Sequence, residues 1–189
     1  MPKKPHKWGL KAWVLADARN GYTWAWKLYT GKESDKVKGG LSYKVVMGLV
    51  NDPRLEEEGY IVIVDNYYSS LSLFRDLTQH GFAACGTARR DRKGIPESIT
   101  VAQLNKGKVC SKQVDGVLAL KWRDKLDILM LSTFHDSSMV EKARRSRAAV
   151  GGVETIQKPH VVDEYNKFMG GIDRSELHVH VGIHDMHKY

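Results

Sequence analysis

Alternating hydrophobic and polar residues near the start of the chain predict an antiparallel β-hairpin. Lys11 to Ala16 is a short, largely apolar run, and Thr23 to Tyr29 is rich in aromatic residues. The segment between them ends in Asn20-Gly21, two residues that tolerate the positive φ of a tight turn. Because aromatic residues are enriched on strands, we interpret the tryptophans here as sheet-packing residues rather than a base-stacking platform. They are Trp13, Trp24 and Trp26.

The middle of the chain shows the pattern of an α/β fold. Ser42 to Val50 has apolar residues at helical spacing. Tyr60 to Val64 is a continuous run that is typical of a strand buried on both faces. Ser69 or Ser70 is then suited to cap a helix that stops at Gly81. The order strand, polar tip, helix indicates α/β organisation.

Beyond this region the pattern predicts more strands, a basic loop and a last helix. The strands cover Phe82 to Ala88, Val117 to Trp122 and Leu126 to Ser132. Arg89 to Pro96 is a basic loop. Ser137 to Gln157 is polar and basic, and we predict a mobile loop or linker there. Val161 to Met169 has helical character and is followed by Gly170-Gly171.

Composition and charge favour a globular protein with a polyanionic partner. The 189 residues are 42% apolar and 28% charged, and 30 Lys and Arg against 22 Asp and Glu give a net charge of +8. Nucleic acid is the commonest partner of such a surface, although many basic proteins bind none. The two cysteines, Cys85 and Cys110, form no zinc or disulfide pattern. Without an apolar leader or a membrane-length run, we expect a soluble, intracellular protein with no membrane partner.

Two aspartates are candidates for chemistry. Asp65 follows a buried strand, at the edge where α/β proteins place their sites, although Asp65-Asn66 also suits a simple turn. Asp173 follows two glycines that interrupt a helical pattern at a cost of about 1 kcal/mol each. That cost indicates a bend or a close backbone approach, and the alternative is an ordinary helix terminus.

The last residues contain a third candidate, a group of histidines that is able to hold a transition metal. They are His178, His180, His184 and His187. The tail has no cysteine and no fixed framework, which argues against a metal site. The chain has no GxGxxG, GxxxxGK[ST] or GxSxG pattern, which argues against nucleotide-binding and hydrolase functions.

Several of these segments, taken in order over roughly residues 3 to 175, resemble the piggyBac transposase family. They are Lys4–Lys11, Leu15–Tyr22, Tyr29–Lys32, Val64–Leu71, Gly86–Arg89, Arg92–Pro96, Lys121–Asp124, Leu131–Thr133, Tyr165–Lys167 and Met169–Ser175. Val64–Leu71 resembles the stretch with the family's second catalytic aspartate, and Met169–Ser175 the stretch with the third.

The resemblance implies an α/β, RNase H-like fold, with a mixed sheet, flanking helices and an insertion. Residues 1–88 would be the first part of the catalytic core, and 89–157 a basic insertion region. Residues 158–175 would hold the core helix with the last aspartate, and 176–189 a divergent tail.

The resemblance also implies a metal-dependent DNA strand-transfer site. Two divalent cations about 3.5 to 4 Å apart act on the scissile phosphate in such sites, and Mg²⁺ prefers oxygen ligands. Asp65 and Asp173 would then be catalytic residues and Mg²⁺ ligands. Basic residues of the insertion would contact DNA phosphates. They are Arg89, Arg90, Arg92, Lys93, Arg144, Arg145 and Arg147.

One departure from the family bears on activity. The family's first catalytic aspartate and its core strand precede the lysine-proline segment, before which only Met1-Pro2-Lys3 stand. Asp17, in the hairpin turn, does not replace that aspartate. We therefore expect a truncated catalytic core without transposition activity. Alternatives are a domesticated DNA-binding protein or a remnant without function, and a simple RNase H-type nuclease is disfavoured. The resemblance also implies a nuclear protein with DNA as its partner, and allows a homodimer.

Overall fold

The computed structural model of the chain describes residues 12–31, 39–56, 58–146 and 150–173. Contacts divide the chain into two units, one of Met1–Asp52 with Gly170–Tyr189 and one of Pro53–Met169. Among the described residues, no helix is long and apolar enough to cross a membrane.

The first unit contains the predicted hairpin. Strand β1 is Ala12–Ala16 and strand β2 is Thr23–Leu28, and they pair in antiparallel orientation. Gly21 has a φ of 80° in the turn, and its N–H donates to the Asp17 carbonyl oxygen at 2.8 Å. The hairpin and its turn chemistry are therefore confirmed.

Helix α1, Gly40–Val50, packs against both strands and confirms the predicted helix. Trp13 is 6% exposed, as expected of a sheet-packing residue. Trp26 is 66% exposed, so that interpretation is wrong for this residue. Alternate residues of a strand share one face, and Trp24 lies on the same, more exposed face of β2.

The second unit is built on a mixed sheet whose strands come from both sides of residue 88. In the described residues its order is β3-β4-β7-β6-β5, with β3 and β4 parallel and the other pairs antiparallel. The strands are β3 Ile61–Val64, β4 Ala83–Thr87, β5 Val109–Val114, β6 Val117–Arg123 and β7 Asp127–Ser132. The four predicted strands of this region are present, and β5 is additional.

Strand β3 is less buried than its sequence predicts. Val62 is buried, but Ile61 is 46% exposed, so the prediction of burial on both faces is wrong at the start of the strand. The reason is the position of β3 in the sheet, because β4 is its only strand partner among the described residues.

Helices cover the sheet as the spacing predicts. Helix α2, Leu71–Gln79, begins after Ser70, whose Oγ accepts the Leu73 N–H at 3.2 Å. Its buried apolar residues pack towards β4 and β6. A short helix α3, Glu97–Thr100, follows the basic loop, and helix α4, His160–Phe168, packs on β4 and β7.

The predicted linker over Ser137 to Gln157 is wrong, because this region forms a second hairpin. Strand β8, Met139–Arg145, pairs antiparallel with strand β9, Val153–Pro159. Both strands alternate between exposed and half-buried positions, and charged residues occupy both faces, so the sequence looks like a linker. On the half-buried face they are Lys142, Arg144, Glu154 and Lys158.

Candidate functional site

Asp65 lies directly after β3, in a turn built from its own polar atoms. Its Oδ1 accepts the Tyr67 N–H at 2.8 Å. Its carbonyl oxygen accepts the N–H groups of Tyr68 and Ser69, each at 3.2 Å, and the Ser69 hydroxyl at 3.0 Å. The side chain is exposed, and its Oδ2 has no hydrogen bond to the residues that the structure describes. Asp65 therefore both forms the turn and presents a carboxylate oxygen to solvent.

The negative charge of Asp65 acts on two neighbouring tyrosines. Burial, followed by the Asp65 charge, raises the pKa of Tyr68 to about 12. Burial is also the main cause of the raised pKa of Tyr165, and the Asp65 charge adds to it. Both phenols stay neutral near pH 7, so they bring no competing charge to the carboxylate.

A basic loop over residues 89–93 is joined to the Asp65 turn. Because β3 and β4 are parallel, the Asp65 turn and this loop leave the sheet at the same edge. The Arg92 guanidinium donates through Nη2 to the carbonyl oxygens of Asn66, at 2.8 Å, and of Tyr67. Arg92 thus fixes the position of the loop relative to Asp65, a role that sequence reasoning did not find.

The other cations of this loop point to solvent. Arg89 and Lys93 are exposed. Arg90 is also exposed and forms an ion pair with Asp127. The structure therefore brings several of the sequence-predicted DNA-binding residues close to Asp65, and their role in binding stays a prediction.

The second predicted group of DNA-binding arginines lies on β8. Arg144 is bound to acidic partners, with its Nη1 2.8 Å from Asp124 Oδ1 and its Nε 2.9 Å from Glu154 Oε1. Its charge is therefore balanced within the fold. Arg145 is exposed, and Arg147 lies outside the described residues, as do the histidines of the tail.

Asp173 belongs to the first unit and is exposed. A Cβ on Gly171 would lie 2.9 Å from Ala18 Cα and 3.3 Å from the Asp17 carbonyl oxygen. The close backbone approach indicated by the two glycines is therefore present at Gly171, and the alternative, a helix terminus, also holds, because α4 ends at Phe168. Asp65 belongs to the second unit, and the metal-binding roles of both aspartates stay predictions.

Comparisons of the sequence and of the structure with known proteins all find transposases or proteins derived from them. The family model described as Transposase IS4 matches residues 1–180. The DDE type of transposase, to which this family belongs, normally uses divalent metal ions.

Two curated relatives come from Homo sapiens. PiggyBac transposable element-derived protein 3 is 25% identical over 187 residues, which are 93% of this chain and 31% of that protein. The chimeric ERCC6-PGBD3 protein is also 25% identical, over 93% of this chain and 17% of that protein. The chain thus spans less than a third of the length of either relative.

A solved structure, the cryo-EM structure of the piggyBac transposase synaptic complex with hairpin DNA, has the same fold. The TM-score is 0.73 at 22% identity, over 92% of this chain and 34% of that chain. This likeness confirms the predicted α/β, RNase H-like fold with a mixed sheet. Together with the match over residues 1–180, it leads to one conclusion: the chain belongs to the piggyBac transposase family.

Proposed function

We propose that the chain is part of a transposase core that binds DNA phosphates beside Asp65. The observation that carries the proposal is the pair of Arg92 hydrogen bonds to the turn that follows Asp65. Those bonds keep the basic loop over residues 89–93 next to the exposed carboxylate. A DNA strand bound by this loop would therefore lie beside the Asp65 carboxylate, which is the proposed catalytic group.

Each basic residue has its own part in this proposal. Arg89, Arg90 and Lys93 are exposed, so they supply the cations that meet phosphates. Arg92 is half-buried and positions the loop. Further support comes from the structural neighbour, which is described as a complex with hairpin DNA.

We also propose that Asp65 and Asp173 are ligands of divalent metal ions, with Mg²⁺ as the natural ion. Asp65 fits this role, because one of its carboxylate oxygens is held by the turn and the other faces solvent. Mg²⁺ is usually bound by one or two carboxylates together with substrate phosphates. Such ions activate a water or a 3′-hydroxyl and stabilise the leaving oxygen in phosphoryl transfer. Asp65 and the basic loop would orient the phosphate for that reaction.

The family's motif provides two aspartates within residues 1–189, Asp65 and Asp173, whereas the family uses three. We therefore expect residues 1–189 on their own to bind DNA without cleaving it. Nuclear localisation and the formation of a homodimer remain predictions for this chain.

Salt-dependent DNA binding tests the proposal. The affinity of the chain for a mixed-sequence duplex is measured by fluorescence anisotropy over a series of salt concentrations. The slope of log K against log salt is negative, and each lost phosphate contact should reduce its magnitude by about 1. The double variant Arg89→Gln/Lys93→Gln should therefore bind more weakly and reduce the slope by about 2.

Arg75→Gln is the control, because it removes a positive charge from a different place: one charge, against the two that the double variant removes. Arg75 pairs with Asp115 at the turn between β5 and β6, and this turn is at the edge of the sheet away from Asp65. The slope should be unchanged in this variant. An equal loss of affinity per removed charge in both variants would contradict a defined site and indicate general attraction by the net charge.

A further inference from the structure

A group of side chains of the types that bind metals lies near the end of β7. One nitrogen of His135, one nitrogen of His160 and one carboxylate oxygen of Glu164 all lie within 4.8 Å of one another. Strand β7 runs antiparallel to β4, and β3 runs parallel to β4, so the chain leaves β7 towards His135 in the direction opposite to that in which it leaves β3 towards Asp65. This His-His-Glu cluster is therefore distinct from the Asp65 turn.

The fold holds the three side chains in position. His135 follows β7, and its side chain is almost fully buried. His160 and Glu164 are four residues apart on α4, so they lie on the same face of that helix. The rings of His135 and His160 meet edge to face with their centres 5.3 Å apart.

Hydrogen bonds around His135 suit a metal ligand. Its Nε2 is 2.6 Å from Glu164 Oε2, and its Nδ1 is 2.8 Å from Ser132 Oγ. Metal-binding histidines almost always donate their other ring N–H to an oxygen, which fixes the ring and leaves the second nitrogen for the metal. Ser132 fixes the ring with the opposite direction of donation: its Oγ already accepts the backbone N–H groups of Phe134 and His135, so its O–H donates to Nδ1 and leaves Nε2 facing Glu164.

We propose that His135, His160 and Glu164 bind one Zn²⁺ ion. Two histidines and one glutamate are a known zinc ligand set, with a water in the fourth position of the tetrahedron. Zinc bonds of about 2.0 to 2.2 Å require ligand atoms about 3.4 Å apart, so the His135–Glu164 pair, now at 2.6 Å, opens around the ion and the wider separations, within 4.8 Å, shorten. Imidazole ligands favour Zn²⁺ over Mg²⁺, which prefers carboxylates and waters. The ion links the segment after β7 to the start of α4.

Calorimetric titration of the full 189-residue chain with Zn²⁺ tests this proposal. The tail histidines are a competing site, so the titration is repeated with His178, His180, His184 and His187 all replaced by alanine. We expect one Zn²⁺ per chain to bind in that background and to raise the melting temperature. His160→Ala and Glu164→Gln should each weaken binding by more than about 10-fold, since even an outer-shell partner costs 10–100-fold.

His80→Ala is the matched control, because His80 is an exposed histidine directly after α2 that is not part of the cluster, and its Nδ1 lies 2.8 Å from the Asp76 carbonyl oxygen. Its Zn²⁺ affinity should equal that of the unsubstituted chain. Circular dichroism verifies that each variant is folded. The proposal is overturned if the folded chain binds no Zn²⁺, if binding disappears with the tail histidines, or if His160→Ala binds Zn²⁺ unchanged.

Discussion

Replacing Asp127 with asparagine is expected to lower the free energy of unfolding by about 3 kcal/mol. The Asp127 carboxylate, 12% exposed, lies 3.1 Å from the Lys121 Nζ and 2.8 Å from Arg123 Nη1. The Lys121 side chain is only 4% exposed, and its remaining contacts are the carbonyl oxygens of Thr100 and Ala102. The substitution therefore leaves a buried cation without its counter-charge. Urea unfolding at pH 7 measures the loss.

Two control variants distinguish the cost of leaving a buried charge unpaired from the cost of losing an ion pair as such. Asp115→Asn breaks an exposed ion pair with Arg75 and should cost less than about 1 kcal/mol. The double variant Lys121→Met/Asp127→Asn should be more stable than Asp127→Asn alone, because it buries no unpaired charge. Equal losses for Asp127→Asn and Asp115→Asn would contradict the buried-charge explanation.

The effect of Asp127→Asn should also depend on pH. The hydrogen bond from Arg123 is the main cause that holds the pKa of Asp127 below its usual value. A carboxylate whose folded pKa is lowered stabilises the fold above its unfolded pKa, which is about 3.9. The stability difference between the unsubstituted chain and the variant should thus be complete at pH 7 and shrink below about pH 4.

Gly86→Ala should destabilise the second unit by about 3 kcal/mol, the upper end of the range for overpacking. A Cβ at this position of β4 would overlap the Val64 carbonyl oxygen and would lie 2.6 Å from Ser69 Oγ. Both groups adjoin Asp65, so the strain also displaces the Asp65 turn. Thermal unfolding followed by circular dichroism measures the loss of stability.

Gly48→Ala provides the matched control for the same change of side chain. Gly48 lies within α1, where a Cβ meets nothing within 4 Å. Alanine is the better helix former, so this variant should gain about 0.5 to 1 kcal/mol. If Gly86→Ala were as stable as the unsubstituted chain, the close approach of β4 to the end of β3 would be wrong.

Periodic segments of the sequence predict most of the fold. The hairpin of β1 and β2, the strands β3, β4, β6 and β7, and the helices α1, α2 and α4 all follow from apolar spacing and turn residues. Strand β5 is not predicted from the sequence, because its middle residues are polar and exposed at a sheet edge. The β8–β9 hairpin is not predicted because its half-buried face also carries charged residues, which are held in ion pairs and give the segment the composition of a linker.

The site is less predictable because its contacts are long-range. Asp65 is identified by its place after a buried strand and by the resemblance to the family. Arg92 looks like one more surface cation until the structure shows it bonded to residues 25 and 26 positions earlier. His135 and Glu164 stand 29 positions apart, so no local pattern indicates that they meet.

Calorimetric titration with Mg²⁺ tests the central claim, that Asp65 is a metal ligand beside a DNA-binding loop. The chain is titrated with a duplex present, in the His160→Ala background, which removes the proposed zinc site. Asp65→Asn should weaken Mg²⁺ binding by at least about 10-fold, and Asp115→Asn should leave it unchanged. Equal Mg²⁺ affinity in the folded Asp65→Asn variant would contradict the account.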